Sequence, residues 1–513
     1  MGIVEERAVS AEDACSRMYD VAIVGAGVAG AALATVLARD NGLSVVLVER
    51  DVRQPERIVG ELLQPGGVQA LRDLKLLDAV EGIDAQEIVG YGIFLGDRSI
   101  EVRYEGDTEN DSACNQAFQK EQELTGRSFH NGRFVQRLRE LAVAESNVTL
   151  VQGTATQLTR NEKGVTTGVA FRTAEKEEFE VRSRFTVACD GCASRLRSSV
   201  APASSYAVKS TFVGMVLKVD VEKDLPFRSH GHVLLVNPSP VLFYPISSSE
   251  VRCLVDFPSS AKIDRETYLT ETVLPQVPPS LRASFAAGVA AGGLKCMPNR
   301  VMPAEPYSAS QAALLLGDSF NMRHPLTGGG MTVALSDVKL IQQLFFDIAK
   351  KASPDSSTVW SGERDVSRAI RQFYTRRRPR SSTINILADA LYAVFCGAGG
   401  GGAQPLTIAE ERAMDDMRDA CFEYLGRGGR CSTDPIRMLG GLEPRPMLLL
   451  AHFFAVALYG CGRALFPFPT PARVLHSWTL FRSAFNIVKP LIDAERVTLL
   501  SWIPIARIPT LAF

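Results

Sequence analysis

Gly25-Ala26-Gly27-Val28-Ala29-Gly30 follows an apolar run, Tyr19 to Val24, and opens an alanine- and leucine-rich stretch, Ala29 to Ala38. These residue types in this order can bind a dinucleotide. Gly25 permits a tight strand-to-helix turn, Gly27 lets the backbone approach a pyrophosphate, and Gly30 lets helix and strand pack closely. The helix N-terminus then offers free N–H groups and partial positive charge to the phosphates. Ser44 to Val48 reads as the next strand, and Glu49 ends it, about 20 residues on, where an acid bonds ribose hydroxyls. This unit alone does not choose between FAD and NAD.

Two later segments make that choice. Asp190-Gly191-Cys192-Ala193-Ser194-Arg195-Leu196-Arg197 resembles the second fingerprint of the FAD-dependent hydroxylases of the para-hydroxybenzoate hydroxylase superfamily. Gly317-Asp318, followed by Gly328-Gly329-Gly330, resembles the third. The resemblance implies FAD, with Asp190 and Asp318 at the cofactor and Asp318 on the ribityl chain. It also implies that Pro325 to Met331 opens a helix whose N-terminus faces the flavin ring, where it stabilises developing negative charge.

A closer likeness runs from about Tyr19 to the C-terminal apolar region. Arg57-Ile58-Val59-Gly60-Glu61-Leu62-Leu63-Gln64-Pro65-Gly66-Gly67, Gly90-Tyr91, Phe129-His130-Asn131-Gly132-Arg133-Phe134 and Gly317 to Met331 resemble the squalene monooxygenase (squalene epoxidase) family. That resemblance implies FAD contacts at Val28 and Ala29, Glu49 and Arg50, Arg57 and Leu62. Further contacts are implied at Arg139, Ala155, Asp318 and Met331. It places Tyr91, held by Gln64, beside flavin and substrate as the catalytic pair, and Tyr244 and Pro325 on the substrate cavity. The chain departs from the family in carrying no N-terminal anchor, which some members have, and in its individual 103–128 and 353–365 stretches.

The implied chemistry suits the residues. An isolated alkene has no acidic proton and no leaving group, so it needs an electrophilic oxygen. A reduced flavin that has reacted with O2 supplies one as a C4a-hydroperoxide, while the protein positions the alkene and excludes water. No acid–base pair is required, and none is obvious. The implied reaction is epoxidation of squalene to (S)-2,3-oxidosqualene in sterol biosynthesis. No second nucleotide fold is visible, so the resemblance implies electrons from NADPH through a separate NADPH–cytochrome reductase. Three rival readings stay open: a soluble aromatic hydroxylase, a flavin reductase of prenyl chains, and a flavoprotein that binds lipid without turnover.

The elements that must position these residues give a fold class of α/β. A Rossmann-like FAD-binding domain at 19–205 and 300–350 is expected to carry an inserted antiparallel-sheet substrate domain at 206–299. A helical region at 351–444 completes the pocket, and membrane-associated helices follow at 445–513. Residues 1–18 read as a polar tail without the apolar core of a signal peptide or anchor, and 103–128 as a surface insertion. Gly397 to Pro405 reads as a flexible break. Met447 to Gly462 is nearly all apolar, and 466–513 mixes apolar and basic residues with Trp478, Trp502, Arg473 and Arg507. A bilayer span needs about 20 apolar residues. The first run is read as too short to span and as lying in the interface, with lipid as a partner. The implied location is the cytosolic face of the endoplasmic reticulum membrane.

Composition sets the remaining bounds. The chain has 513 residues, a net charge of −1 and 46% hydrophobic residues. That balance excludes a nucleic-acid partner held mainly by phosphate contacts. Ten cysteines without a secretion signal do not read as a disulfide framework. Cys189-Asp190-Gly191-Cys192 has no second pair, and His230 and His232 alternate on a strand, so no metal site is expected.

Overall fold

The computed structural model describes residues 2–105, 124–258, 263–305, 312–351, 363–397 and 406–496. The sequence readings for 106–123, 398–405 and 497–513, including Trp502 and Arg507, lie outside these residues.

β-Branched, apolar strands build one eight-stranded sheet. Its order is Ala8–Val9, Val148–Gln152, Val45–Glu49, Met18–Val24, Glu178–Ala188, Thr166–Arg172 and Thr154–Arg160, with Ala313–Leu315 beside the end of Glu178–Ala188. Pairing is parallel except among the last three strands on the path. Registers put Val24 opposite Val48 and Ala188, and Ala188 opposite Leu315. Gly25, Glu49, Asp190 and Gly317 therefore leave adjacent strands at one carboxyl edge, where open α/β sheets bind ligands. The helix Val28–Asn41 is buried along most of its length by alanine and leucine, ends at left-handed Gly42, and packs on the helix Gly330–Lys351.

Residues 3–15, read as a tail, are folded onto this sheet. Ala8–Val9 extends its edge beside Val148–Gln152, and Val4 and Ala14 are fully buried. Small apolar residues among the acids anchor the segment.

The second sheet has seven strands: Lys295–Val301, Ala207–Lys218, Glu250–Pro258, Val241–Pro245, His230–Leu234, Gly90–Leu95 and Arg98–Arg103. The helix Pro279–Ala290 covers one face, with Phe285 against Phe243. The expected 206–299 boundary needs correction, because the sheet also takes Gly90–Leu95, paired parallel to His230–Leu234. A parallel partner so distant in sequence leaves no local signal. The 103–128 reading is corrected too. Tyr104 is fully buried, and Gly126–Ser128 pairs with Leu62–Leu63 and Gln86–Ile88.

Among the described residues five helices follow: Glu363–Phe395, Ile408–Leu425, Arg430–Leu439, Pro446–Leu465 and Pro471–Glu495. The apolar run forms 20 helical residues, about 30 Å at 1.5 Å per residue. It is long and apolar enough to cross a membrane, which corrects the reading of it as too short. This helix packs chiefly on Ile408–Leu425 and Pro471–Glu495, and also touches Glu363–Phe395 and Arg430–Leu439. Leu458, Phe466, Phe468, Leu475 and Trp478 stay exposed, with Phe466 at 77% and Phe468 at 74%.

Candidate active site

At the carboxyl edge of the first sheet the chain turns sharply. Gly25 has φ +94°, and a Cβ there would sit 2.6 Å from the Cys189 carbonyl oxygen. A Cβ on Gly30 would meet the Gly25 oxygen at 1.9 Å, so only glycine allows this approach. A Cβ on Gly27 meets nothing within 4 Å: this position opens on a cavity. Glu49 Oε2 accepts from the Ala26 N–H at 2.5 Å, and Arg139 Nε donates to the Ala26 carbonyl at 2.8 Å. These two buttress the glycine turn from behind. Burial pulls the Arg139 pKa down, while Glu49 and Asp51 oppose that shift.

The cavity has a volume of about 410 Å3. Its wall brings together Gly27, Val28, Ala29, Arg57, Leu62, Tyr91, Tyr244, Asp318, Pro325 and Met331, all singled out in the sequence. Gly25, Gly30, Glu49, Arg139, Asp190 and Gln64 stand behind it. Arg50 is exposed, and Ala155 is half-buried on the strand Thr154–Arg160; neither lines the cavity.

The later fingerprints are clamped together. Arg197 Nε donates to the Ser319 carbonyl at 2.8 Å, and its Nη2 donates to the carbonyls of Cys192 at 3.1 Å and Asp318 at 3.2 Å. Asp190 Oδ2 accepts from the Arg195 N–H at 2.9 Å, while the buried Oδ1 has no partner among the described residues. Among the described residues Asn131 Oδ1, Asn299 Oδ1 and Arg323 Nε are buried without partners as well, and all three residues line the cavity. Unpaired polar atoms are costly unless a ligand meets them. With the open Gly27 position and two helix N-termini facing inward, at Val28 and at Gly330, this set of donors and acceptors fits a dinucleotide bearing a polar ring system.

At the other end of the cavity stands Tyr91. Gln64 Nε2 donates to the Tyr91 hydroxyl at 2.5 Å and to the Thr327 carbonyl at 2.6 Å. Tyr104 donates to Gln64 Oε1 at 2.7 Å. Burial pushes the Tyr91 pKa up to about 12 and that of Tyr104 well above the ordinary value, so both remain phenols. Tyr244 donates to Glu61 Oε2 at 3.3 Å, and Arg252 holds Glu61 through a buried bidentate pair at 2.7 and 2.8 Å.

Tyr91 and Leu326 also face a second, narrower chamber of about 100 Å3. Its wall is made mainly by helices, through Ile386, Ala390, Val394, Met417, Leu449 and Val456. Few polar side chains reach it: Tyr91, Thr327, and the bonded pair Tyr424 and His452, 2.9 Å apart. The two spaces thus share a wall, with several polar groups on one side and an almost wholly hydrocarbon lining on the other.

The loop forming that wall is anchored by a buried cluster. His324 stacks on Tyr392 with centroids 3.7 Å apart, and its Nδ1 accepts from the Leu326 N–H at 3.3 Å. Its Nε2 lies 3.2 Å from Ser210 Oγ, and Ser210 donates to Asp256. Tyr392 and Asn299 also donate to Asp256, at 2.9 and 3.1 Å. Burial pushes Asp256 up to about 6 and His324 down to about 3.

Sequence reasoning passed over Tyr104, Glu61, Arg252 and the His324–Asp256 cluster as site residues. Alternation of Ile100, Val102 and Tyr104 was the available signal for Tyr104. His232 borders the cavity with its pKa pushed down to about 4 by burial, hence neutral. Among the described residues no three His, Cys, Asp or Glu side chains gather as a metal site.

A sequence profile of the family described as Squalene epoxidase matches residues 182–476. Squalene monooxygenase SE2 of Panax ginseng is 47% identical over 492 residues, which cover 95% of this chain and 83% of that protein. Squalene epoxidase 3 of Arabidopsis thaliana is 47% identical, covering 93% and 85%. Squalene epoxidase erg1 of Schizosaccharomyces pombe is 37% identical, covering 93% and 98%. Among solved structures, PqsL of Pseudomonas aeruginosa, a probable FAD-dependent monooxygenase, superimposes with a TM-score of 0.57 at 20% identity, covering 74% of this chain and 97% of that one. The flavin-dependent brominase Bmp2 gives 0.59 at 17% identity, covering 86% and 99%. At such identities these two likenesses concern the fold.

Proposed function

Because the chain belongs to the squalene epoxidase family, we propose that its two adjoining cavities divide the work of one reaction, with cofactor on one side of Tyr91 and hydrocarbon on the other. It is an FAD-dependent monooxygenase that epoxidises squalene in sterol biosynthesis. The shared Tyr91–Leu326 wall is the observation that carries the division of labour.

Bound FAD, once reduced and reacted with O2, supplies the electrophilic oxygen that an isolated alkene needs. The chain's own residues do the rest. The glycine turn and the N-terminus of Val28–Asn41 would hold the pyrophosphate, braced by Glu49 and Arg139. Asp318 would take hydroxyl groups, with Asp190 behind it, and the N-terminus of Gly330–Lys351 would face the ring. Arg57, Leu62 and Met331 line the cavity and would close over it, whereas Arg50 and Ala155 stand outside its wall. Tyr91 and Gln64 are the catalytic pair; Tyr244 and Pro325 line the cofactor cavity and not the apolar chamber, so they would meet substrate only where its reacting end reaches past Tyr91.

The apolar chamber holds the chain and excludes water from the reacting end. Squalene is nearly insoluble in water, and the exposed Phe466, Phe468 and Trp478 give the chain a lipid-facing surface from which to receive it. This surface rests on the cytosolic face of the endoplasmic reticulum membrane. Electrons come from NADPH through a separate reductase, and the product is (S)-2,3-oxidosqualene. Purified protein given squalene, FAD, NADPH and a reductase, with chiral product analysis, tests this reading. An aromatic hydroxylase or a prenyl reductase would leave squalene unepoxidised.

A further inference from the structure

Arg323 lines the wider cavity and is only 8% exposed. Its Nη2 donates to the Asn321 carbonyl at 3.0 Å and to Asn321 Oδ1 at 2.8 Å. Asn321 is held in turn: its amide donates to the Met302 carbonyl at 2.8 Å, and its Oδ1 also accepts from Asn385 at 2.9 Å. Arg323 Nη1 donates to the Gly330 carbonyl at 3.4 Å, so the guanidinium lies beside the N-terminus of Gly330–Lys351. Its Nε is buried and has no partner among the described residues. No carboxylate among them forms an ion pair with it either. Asp337 is taken by Arg377 at 3.0 Å, Glu495 by Asn385 at 2.7 Å, and Asp389 by the His324 N–H at 3.3 Å. Asp318, Asp337 and Glu495 act on Arg323 only through space, and Arg377 repels it. Burial outweighs those carboxylates and pulls its pKa down, yet a guanidinium stays charged.

A buried cation without an ion pair, set against the positive end of a helix, is costly until an anion meets both. FAD brings two anions. The pyrophosphate belongs to the glycine turn, at the N-terminus of Val28–Asn41. The second arises on reduction. The ring takes two electrons, from NADPH through the reductase, and one proton at N5, and is left with a negative charge over N1 and its neighbouring carbonyl. We propose that Arg323 is the fixed positive charge that meets this anion and keeps the reduced ring deprotonated at N1. This rests on the placement of the ring at Gly330 described above, and gives its charge a side-chain partner besides the helix.

The test compares wild type, Arg323→Met and Arg323→Lys, each loaded with FAD. The absorption of the dithionite-reduced proteins against pH reports the N1 proton, and equilibrium titration with a redox dye gives the flavin midpoint potential. FAD affinity is measured alongside. An adjacent cation lowers the pKa of an acid by about one to three units. Wild-type reduced flavin should therefore take the N1 proton at least about one pH unit lower than free reduced FAD does. Arg323→Met should raise that pH by about one unit or more and lower the midpoint potential, by about 30 mV for each tenfold loss of reduced-state stabilisation. Arg323→Lys keeps the charge and should recover most of both shifts, and FAD affinity should stay near wild type in both variants. An unchanged potential and N1 titration in Arg323→Met would overturn the proposal. So would a loss of FAD affinity with the potential of the remaining holoenzyme unchanged, which would make Arg323 a phosphate ligand. Should Arg323→Met not fold, wild type alone decides, since N1 protonation at the pH of free FAD would also overturn it. Wild-type protein that binds no FAD would instead sink the flavin reading itself.

Discussion

The Gln64 amide donates to the Tyr91 hydroxyl at 2.5 Å on the wall common to the polar cavity and the apolar chamber. Tyr91→Phe should lower epoxidation while FAD stays bound. One hydrogen bond is worth about 0.5–1.5 kcal/mol net, which is roughly a three- to tenfold loss of turnover. Steady-state kinetics and flavin absorption of the variant check this. Wild-type turnover would show that Tyr91 only packs.

Flavin retention should depend on the carboxyl edge of the first sheet. A side chain at Gly27 would project into the space left for a pyrophosphate, and Asp318 lines the same cavity. Gly27→Val and Asp318→Ala should each lower the flavin-to-protein absorbance ratio, with thermal melting of the apoprotein little changed. Full occupancy in both would remove the site from this edge.

The first sheet was legible because strand, glycine turn and helix succeed each other locally. The same locality hid other features. Gly90–Leu95 pairs with a strand more than a hundred residues on, so Tyr91 was found by resemblance and its sheet was not. Tyr104 sits at the mouth of a polar stretch whose composition masked it. The chamber could not be read at all, since it exists only where five helices converge. The Glu61–Arg252 pair was hidden for a related reason: a buried charge looks like any other until its partner is known.

Filling the chamber should affect substrate and spare the cofactor. Ala390 lines the chamber and is absent from the cavity wall. Ala390→Phe should raise KM for squalene at least severalfold with flavin occupancy unchanged. An unchanged KM would show that the hydrocarbon lies elsewhere.

Lipid attachment should follow the exposed aromatic patch. Replacing Phe466, Phe468 and Trp478 by Ser removes large apolar side chains from solvent-facing positions without touching the chamber. Flotation with vesicles should show weaker binding, while squalene in detergent micelles is still epoxidised. Truncation before Arg445 is a poorer test, because Leu449 and Val456 belong to the chamber wall. Unaltered flotation of the triple variant would exclude this patch.

The Asp256 cluster should leave a mark on stability against pH. Burial raises Asp256 to about 6, above its ordinary value of 3.8. The folded state therefore binds a proton that the unfolded state does not between those values, and this stabilisation is lost as pH rises through about 6. His324, pushed down to about 3, acts in the opposite sense: its stability is present above about 6.5 and lost as pH falls. The two offset each other. Asp256→Asn should remove the first and uncover the second, so wild type should gain stability over the variant as pH falls from about 6 to about 4. Ser210, Asn299, Tyr392 and Cys396 also face Asp256 and are left in place. Denaturant unfolding at stepped pH measures the difference, and a constant gap would show that Asp256 is not titrating.

The origin of the transferred oxygen tests the central claim most directly. Purified protein with FAD, squalene, NADPH and a reductase should be run under 18O2 in ordinary water, and the product weighed by mass spectrometry. The expected product is an epoxide of squalene carrying one 18O atom, with none incorporated when the label is in the water. No epoxide, or an epoxide whose oxygen comes from water, would contradict flavin-dependent epoxidation of squalene at the Tyr91 wall.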